Sequence, residues 1–136
     1  MNLAEKPEES RDPVLAMAEI RRLSPAAVAY IGDAVYELYI RQSILFPPQR
    51  IQTYHRAVVD RVCGQAQAAT LQQLSEHLTE AELAIVRWGA NGCGRIPRHL
   101  EVETYRQASG FETLIGYLHL TNQPRLQTVL ALIEGC

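Results

Sequence analysis

Asp33 follows Gly32 directly, in the middle of a helical pattern that is otherwise apolar: Ala27, Val28, Ile31, Val35, Leu38 and Tyr39 recur at three- and four-residue steps. That spacing marks a helix with one face in a core, so the acid interrupts a surface expected to be dry. Burying an unpaired carboxylate costs on the order of several kcal/mol. A chain with this helix must therefore give Asp33 a bonded partner or a cation. The helix is bounded in the sequence itself. Ser24 suits the N-cap and Pro25 the first helical position, and the pattern runs to about Gln42 before Phe46-Pro47-Pro48 stops it.

The same period recurs downstream. Ile51, Tyr54, Val58, Val62, Ala66, Ala69 and Leu74 predict one long helix or two in line, with Gly64 as a bend or a point of close packing. Thr79 and Glu82 form a capping box that opens a helix through Leu83, Val86 and Arg87. That helix is expected to fail at the flexible stretch Gly89-Ala90-Asn91-Gly92-Cys93-Gly94. A further helix is predicted from about Leu100 to Leu120, and Pro124 opens a last one through Leu126, Val129, Leu130 and Ile133. No alternating strand pattern, repeat or low-complexity tract occurs, so the fold class is all-α, with residues 21–136 as one domain. Residues 1–20, with five acids against two bases and prolines at 7 and 13, read as a flexible acidic N-terminal arm.

Charge and cysteine content narrow the function classes. The net charge is −2 at pH 7, which argues against a protein that coats nucleic acid nonspecifically. Outside the arm, however, eleven arginines meet ten acids, and twelve of the thirteen basic residues are arginine. Arginine suits bidentate phosphate contact, although the same bias follows from genomic base content. Cys63, Cys93 and Cys136 are far apart and odd in number, so free thiols are expected rather than a disulfide framework or zinc site. No apolar run approaches the ~18 residues of a membrane span, and the N-terminus lacks a basic region followed by an apolar one. A cytoplasmic protein without a membrane partner is expected.

Phe111-Glu112-Thr113-Leu114-Ile115-Gly116 places a second lone carboxylate in an apolar helix and so echoes the first. Two such acids on two helices suggest one shared site, since Mg²⁺ is commonly held by one or two carboxylates plus water and substrate phosphate. The competing explanation is that each acid pairs with an arginine or caps a backbone group. His77 and His119 have no Cys or His at ligand spacing, and no His-Asp doublet of the familiar all-α phosphohydrolases appears.

Tyr30-Ile31-Gly32-Asp33-Ala34-Val35-Tyr36-Glu37 resembles the signature helix of ribonuclease III catalytic domains, and Phe111 to Gly116 resembles their second acidic helix, in the right order and at the right distance. The short length, the run Asn91-Gly92-Cys93-Gly94-Arg95-Ile96-Pro97 and Thr104-Tyr105-Arg106 resemble the Mini-III branch of that family. The resemblance covers about residues 22 to 132. It implies the all-α ribonuclease III endonuclease fold, an obligate homodimer, and Mg²⁺-dependent cleavage of double-stranded RNA that matures the 5′ and 3′ ends of 23S ribosomal RNA precursor. A large-subunit ribosomal protein is a further candidate partner. Members of the family generally carry four acids, and Ala29 and Ser109 stand at the positions of two of them. Carried over residue by residue, the resemblance leaves Asp33 and Glu112 as the catalytic, metal-binding pair, with Glu37 in a structural role.

Duplex RNA is recognised through shape, phosphates and 2′-hydroxyls, which calls for donors on an exposed loop. Arg95, Arg98 and His99 beside the glycine-rich stretch fit that need, with Asn91 as a weaker member. His55, near Arg50, Arg56 and Arg61, forms a second basic face that reads as solvated surface, but the resemblance places the His55 position near RNA. Trp88, Tyr36, Tyr39 and Tyr117 fall at helical spacing and are expected in the core or a dimer contact. Two further readings stand beside the endoribonuclease: a noncatalytic RNA-binding or ribosome-associated module on the same fold, and a protein-interaction domain with salt-bridged acids.

Overall fold

The structure is a computed structural model and describes residues 15–135. Helices account for most of it, with no strand among the described residues: α1 (Met17–Ile20), α2 (Pro25–Ser43), α3 (Ile51–Val62), α4 (Gly64–Leu74), a 3₁₀ turn (Ser75–His77), α5 (Glu80–Asn91), α6 (Val102–Thr121) and α7 (Gln123–Gly135). The all-α expectation is met. No described helix is long and apolar enough to cross a membrane. Residues 1–14 of the expected arm lie outside the described residues. Within the remainder of that segment, Ile20 is buried in the interior and the Leu15 N–H donates to the Leu120 carbonyl.

The predicted start signals act locally as written. Ser24 Oγ accepts from the Ala27 N–H at 3.1 Å with Pro25 at the first helical position, and Thr79 and Glu82 exchange both capping-box bonds. One boundary decides between two open alternatives, and another differs from expectation. The Ile51–Leu74 segment breaks into two helices at Cys63, whose ψ of 158° is extended, one residue before Gly64. Helix α5 does not fail at Gly89 but continues to Asn91, because Gly89 faces α6: a Cβ there would run into the Thr113 side chain. Packing holds the glycine in the helix against its roughly 1 kcal/mol propensity penalty.

Helix α6 is the centre of the molecule, enclosed by α2, α4, α5 and α7. Its Phe111, Leu114, Ile115 and Leu118 join Tyr36, Ile40, Val58, Leu71, Leu74, Leu126, Val129 and Leu130 in one core. Each large side chain removed from water there contributes about 1.5–3 kcal/mol. Tyr36 meets Phe111 edge-on at 4.9 Å, so the first of the predicted core aromatics is placed as expected. Arg125 ties α7 to the start of α5 through two 2.8 Å bonds to the buried Glu82 carboxylate and a third to the His77 carbonyl. Those Arg125 bonds hold the Glu82 carboxyl below its ordinary range.

Helices α2 and α6 cross with almost no side chain between them. A Cβ on Gly32 would fall on the Glu112 carbonyl and within 2.8 Å of the Gly116 nitrogen, while one on Gly116 would fall on the Val28 carbonyl and within 3.0 Å of the Gly32 nitrogen. Backbone against backbone, this crossing brings Asp33 and Glu112 to the same end of one cleft.

Candidate active site

The cleft encloses about 230 Å³ and is lined by Pro25, Ala29, Tyr30 and Asp33 of α2, Gly89 and Cys93 at the end of α5, and Tyr105, Ser109, Glu112 and Thr113 of α6. Ala29 and Ser109 are small and leave this space open. Thr113 is fully buried and its hydroxyl donates to the Ser109 carbonyl at 2.7 Å, which keeps the α6 wall regular. The Asp33 and Glu112 side chains meet there.

Their environments differ from expectation. Asp33 is exposed at the rim rather than buried, so the desolvation cost inferred from its place in an apolar pattern does not fall on it. The burden falls on Glu112, which is half-buried. Burial, then the hydrogen bond and negative charge of Asp33, push the Glu112 carboxyl up to about 8, against a smaller opposing effect of a hydrogen bond from the Gln67 side chain. Among the described residues neither acid forms an ion pair, so the arginine-paired alternative is not realised. Glu37, one turn after Asp33, pairs instead with Arg41 at 2.7 Å.

Two carboxyls brought together without a positive side chain are a suitable donor set for a hard divalent cation, which accepts carboxylate oxygens and fills its remaining positions with water. No cluster of three or more Asp, Glu, His or Cys occurs among the described residues, so such a cation would take only these two acids from the protein. A pH dependence follows. An unfolded glutamate loses its proton near 4.5, whereas folded Glu112 keeps it to about 8. Folding thus takes up a proton between those values, and Glu112 makes metal-free stability fall as pH rises from about 4.5 to about 8, then level off. In urea unfolding with a chelator, the wild type is expected to lose more stability across this interval than Glu112→Gln, and divalent cation to reverse the loss by displacing the proton. Equal slopes for the two proteins would refute the assignment.

The predicted RNA contacts lie off the cleft walls. Arg95, Arg98 and His99 are exposed on the segment after α5. Two glycines shape that segment: Gly94 has φ +76°, the left-handed region open to glycine at little cost, and Gly92 packs against the Pro25 ring so closely that a Cβ would collide with it. Asn91 is exposed at the end of α5, and its Oδ1 accepts from Arg106 at 2.8 Å, so part of its hydrogen-bonding capacity serves the fold. His55 lies on α3 in a separate cavity of about 880 Å³ with Arg41, Ile44, Leu45, Tyr54 and Val59, away from the acid pair. The residue missing from the sequence reading is Gln67 on the buried face of α4. Its signal was a polar residue on the stripe of Leu71 and Leu74, the kind of interruption that singled out Asp33.

The chain is similar to known proteins over most of its length. A family model described as "Ribonuclease III domain" matches residues 26–123. The chain is 51% identical over 114 residues to the Mini-ribonuclease 3 of Thermosynechococcus vestitus, covering 84% of this chain and 76% of that protein. It is 47% identical over 127 residues to the Mini-ribonuclease 3 of Synechocystis sp., covering 93% and 88%. Among solved structures, the crystal structure of a protein from Fusobacterium nucleatum aligns with a TM-score of 0.76 at 27% identity, over 85% of this chain and 93% of that one.

Proposed function

Because this chain belongs to the ribonuclease III family and is an endoribonuclease of its Mini-III branch, we propose that it cleaves double-stranded regions of 23S ribosomal RNA precursor with Mg²⁺, as a homodimer, and so forms the mature 5′ and 3′ ends. The observation that carries this reading is the Asp33–Glu112 pair in one open cleft without a positive partner. Bound Mg²⁺ supplies an activated water and stabilises charge on the phosphodiester. Asp33, on the rim, faces the incoming RNA, and Glu112 anchors the site from α6. A binding module would have no use for two converging acids facing a polyanion, which disfavours the noncatalytic alternative.

The dimer is supported by an exposed apolar stripe on α2, where Tyr30 is 79% and Leu38 58% exposed, with Ile31 and Ala34 between them. Such a stripe on a small domain is suited to contact with a second copy. Two subunits would supply one cut per strand. The test combines cleavage of a precursor rRNA duplex, with and without Mg²⁺, and sedimentation of the same protein. A dimer that cuts near the mature ends only with Mg²⁺ is expected; duplex binding without cleavage, or full activity as a monomer, would sink the reading.

Arg95, Arg98, His99, Asn91 and His55 are the proposed RNA contacts, and the first two carry most of the phosphate attraction. Arg95→Ala with Arg98→Ala is expected to weaken duplex binding and to flatten its dependence on salt by up to about two phosphate contacts per subunit, since each neutralised phosphate steepens that slope by roughly 0.7–0.9. An unchanged slope would remove this loop from the RNA site.

A further inference from the structure

Helix α4 packs against α6. Gly64 lies against Ala108, where a Cβ would sit 3.9 Å from the Ala108 Cβ, and one turn further on Gln67 stands beside Glu112. Gln67 is only 3% exposed, on a face otherwise made of Ala68, Leu71 and Leu74. An amide buried without a partner costs about 1–3 kcal/mol, and among the described residues no buried side-chain nitrogen or oxygen lacks one. The Gln67 side chain reaches the Glu112 carboxyl and acts on it as a hydrogen-bonding group.

We propose that Gln67 is a positioning residue for the acid pair: its side-chain N–H, donated to one oxygen of Glu112, sets the rotation of that carboxylate so that the other oxygen faces Asp33 and the cleft. The inference rests on the reading of Asp33 and Glu112 as the cation site. The terminal torsion of a glutamate is broad and nearly two-fold, so without a donor the carboxylate has no fixed plane. A lysine or arginine in the same place would fix it but would also neutralise the pair and compete with a cation. A neutral amide orients the group and leaves both charges for the metal. With Ala29 and Ser109 in place of further acids, the site has two protein carboxylates, and the orientation of one of them governs half of the protein's contribution.

Gln67→Met keeps length and burial and deletes the donor. Mn²⁺ serves as a spectroscopic stand-in for Mg²⁺, and its binding to the RNA-free dimer is followed by electron paramagnetic resonance. Gln67→Met is expected to weaken Mn²⁺ binding about tenfold or more, in the range found for groups that orient metal ligands. In cleavage assays the Mg²⁺ concentration for half-maximal rate should rise by a similar factor, with the rate recovered at high Mg²⁺ and the KM for duplex RNA unchanged. A purely structural role would lower the unfolding midpoint and leave Mn²⁺ affinity alone. Should Gln67→Met not fold, Gln67→Asn keeps an amide in the helix but draws it one methylene short of Glu112, and the same weakening is expected. Wild-type Mn²⁺ affinity in whichever variant folds overturns the proposal. Asp33→Asn separates this failure from that of the parent reading: if it also binds Mn²⁺ like the wild type, the acid pair is not the cation site and both fall.

Discussion

Asp33→Asn is expected to abolish cleavage of duplex RNA while leaving the helical fold and RNA binding in place. The substitution keeps shape and removes one of the two charges that the proposed site would offer to a cation. Bound metal typically lowers a phosphodiester transition state by several kcal/mol, and each 1.36 kcal/mol is a factor of ten, so a loss on the order of a thousandfold or more follows. Asp33 is exposed and makes no ion pair among the described residues, so little stability depends on it. Indeed, removing its charge relieves the repulsion that helps push Glu112 up, and the metal-free variant should be at least as stable as the wild type in urea. Single-turnover cleavage with saturating protein, alongside duplex binding and denaturation, checks all three parts. Residual activity within tenfold of wild type would transfer the chemistry to other residues.

Gly32→Ala is expected to unfold the protein or to destabilise it by at least about 3 kcal/mol, against a total of roughly 5–15 for a domain of this kind. In an isolated helix the same change would stabilise by about 1 kcal/mol, so the sign itself is diagnostic. The added methyl meets the Glu112 carbonyl and lies 2.8 Å from the Gly116 nitrogen, and neither backbone group can turn aside as a side chain can. To admit it, α2 and α6 must separate, which loosens the packing of Tyr36 on Phe111 and moves the two acids apart. Urea denaturation measures the cost. A variant as stable as the wild type would mean that the helices do not cross as closely as described.

Local signals accounted for most of what could be read in advance. Ser24-Pro25 and Thr79-Glu82 start helices through bonds made within one turn, and these bonds form as the residues predict. Features that depend on a distant partner were less legible. Gly89 looks like a helix breaker until Thr113 is placed against it, and the extended Cys63 backbone divides α3 from α4 beside a glycine that could equally have been a simple packing point. At the site, the acids were visible because each interrupts an apolar period. Which of them is buried was not, since the openness around Asp33 comes from Ala29 on its own helix and Ser109 on another. Gln67 does not stand out in the sequence because the period through Ala66 and Ala69 points to a different face of α4 from the buried one, which is Gln67, Ala68, Leu71 and Leu74.

The glycine crossing of α2 and α6 also determines which kinds of sequence change this enzyme can absorb. The spacing of the two carboxyls is set by main chain touching main chain, so extensive exchange of Leu, Ile and Val elsewhere in the interior can proceed without altering it. Insertions are another matter. One residue added between Gly32 and Asp33 turns the carboxylate about 100° around the helix axis, away from Glu112, while the apolar faces on either side fall out of phase. The chain is therefore tolerant in composition and strict in length along these two helices, and variation in size is confined to the connections that join them.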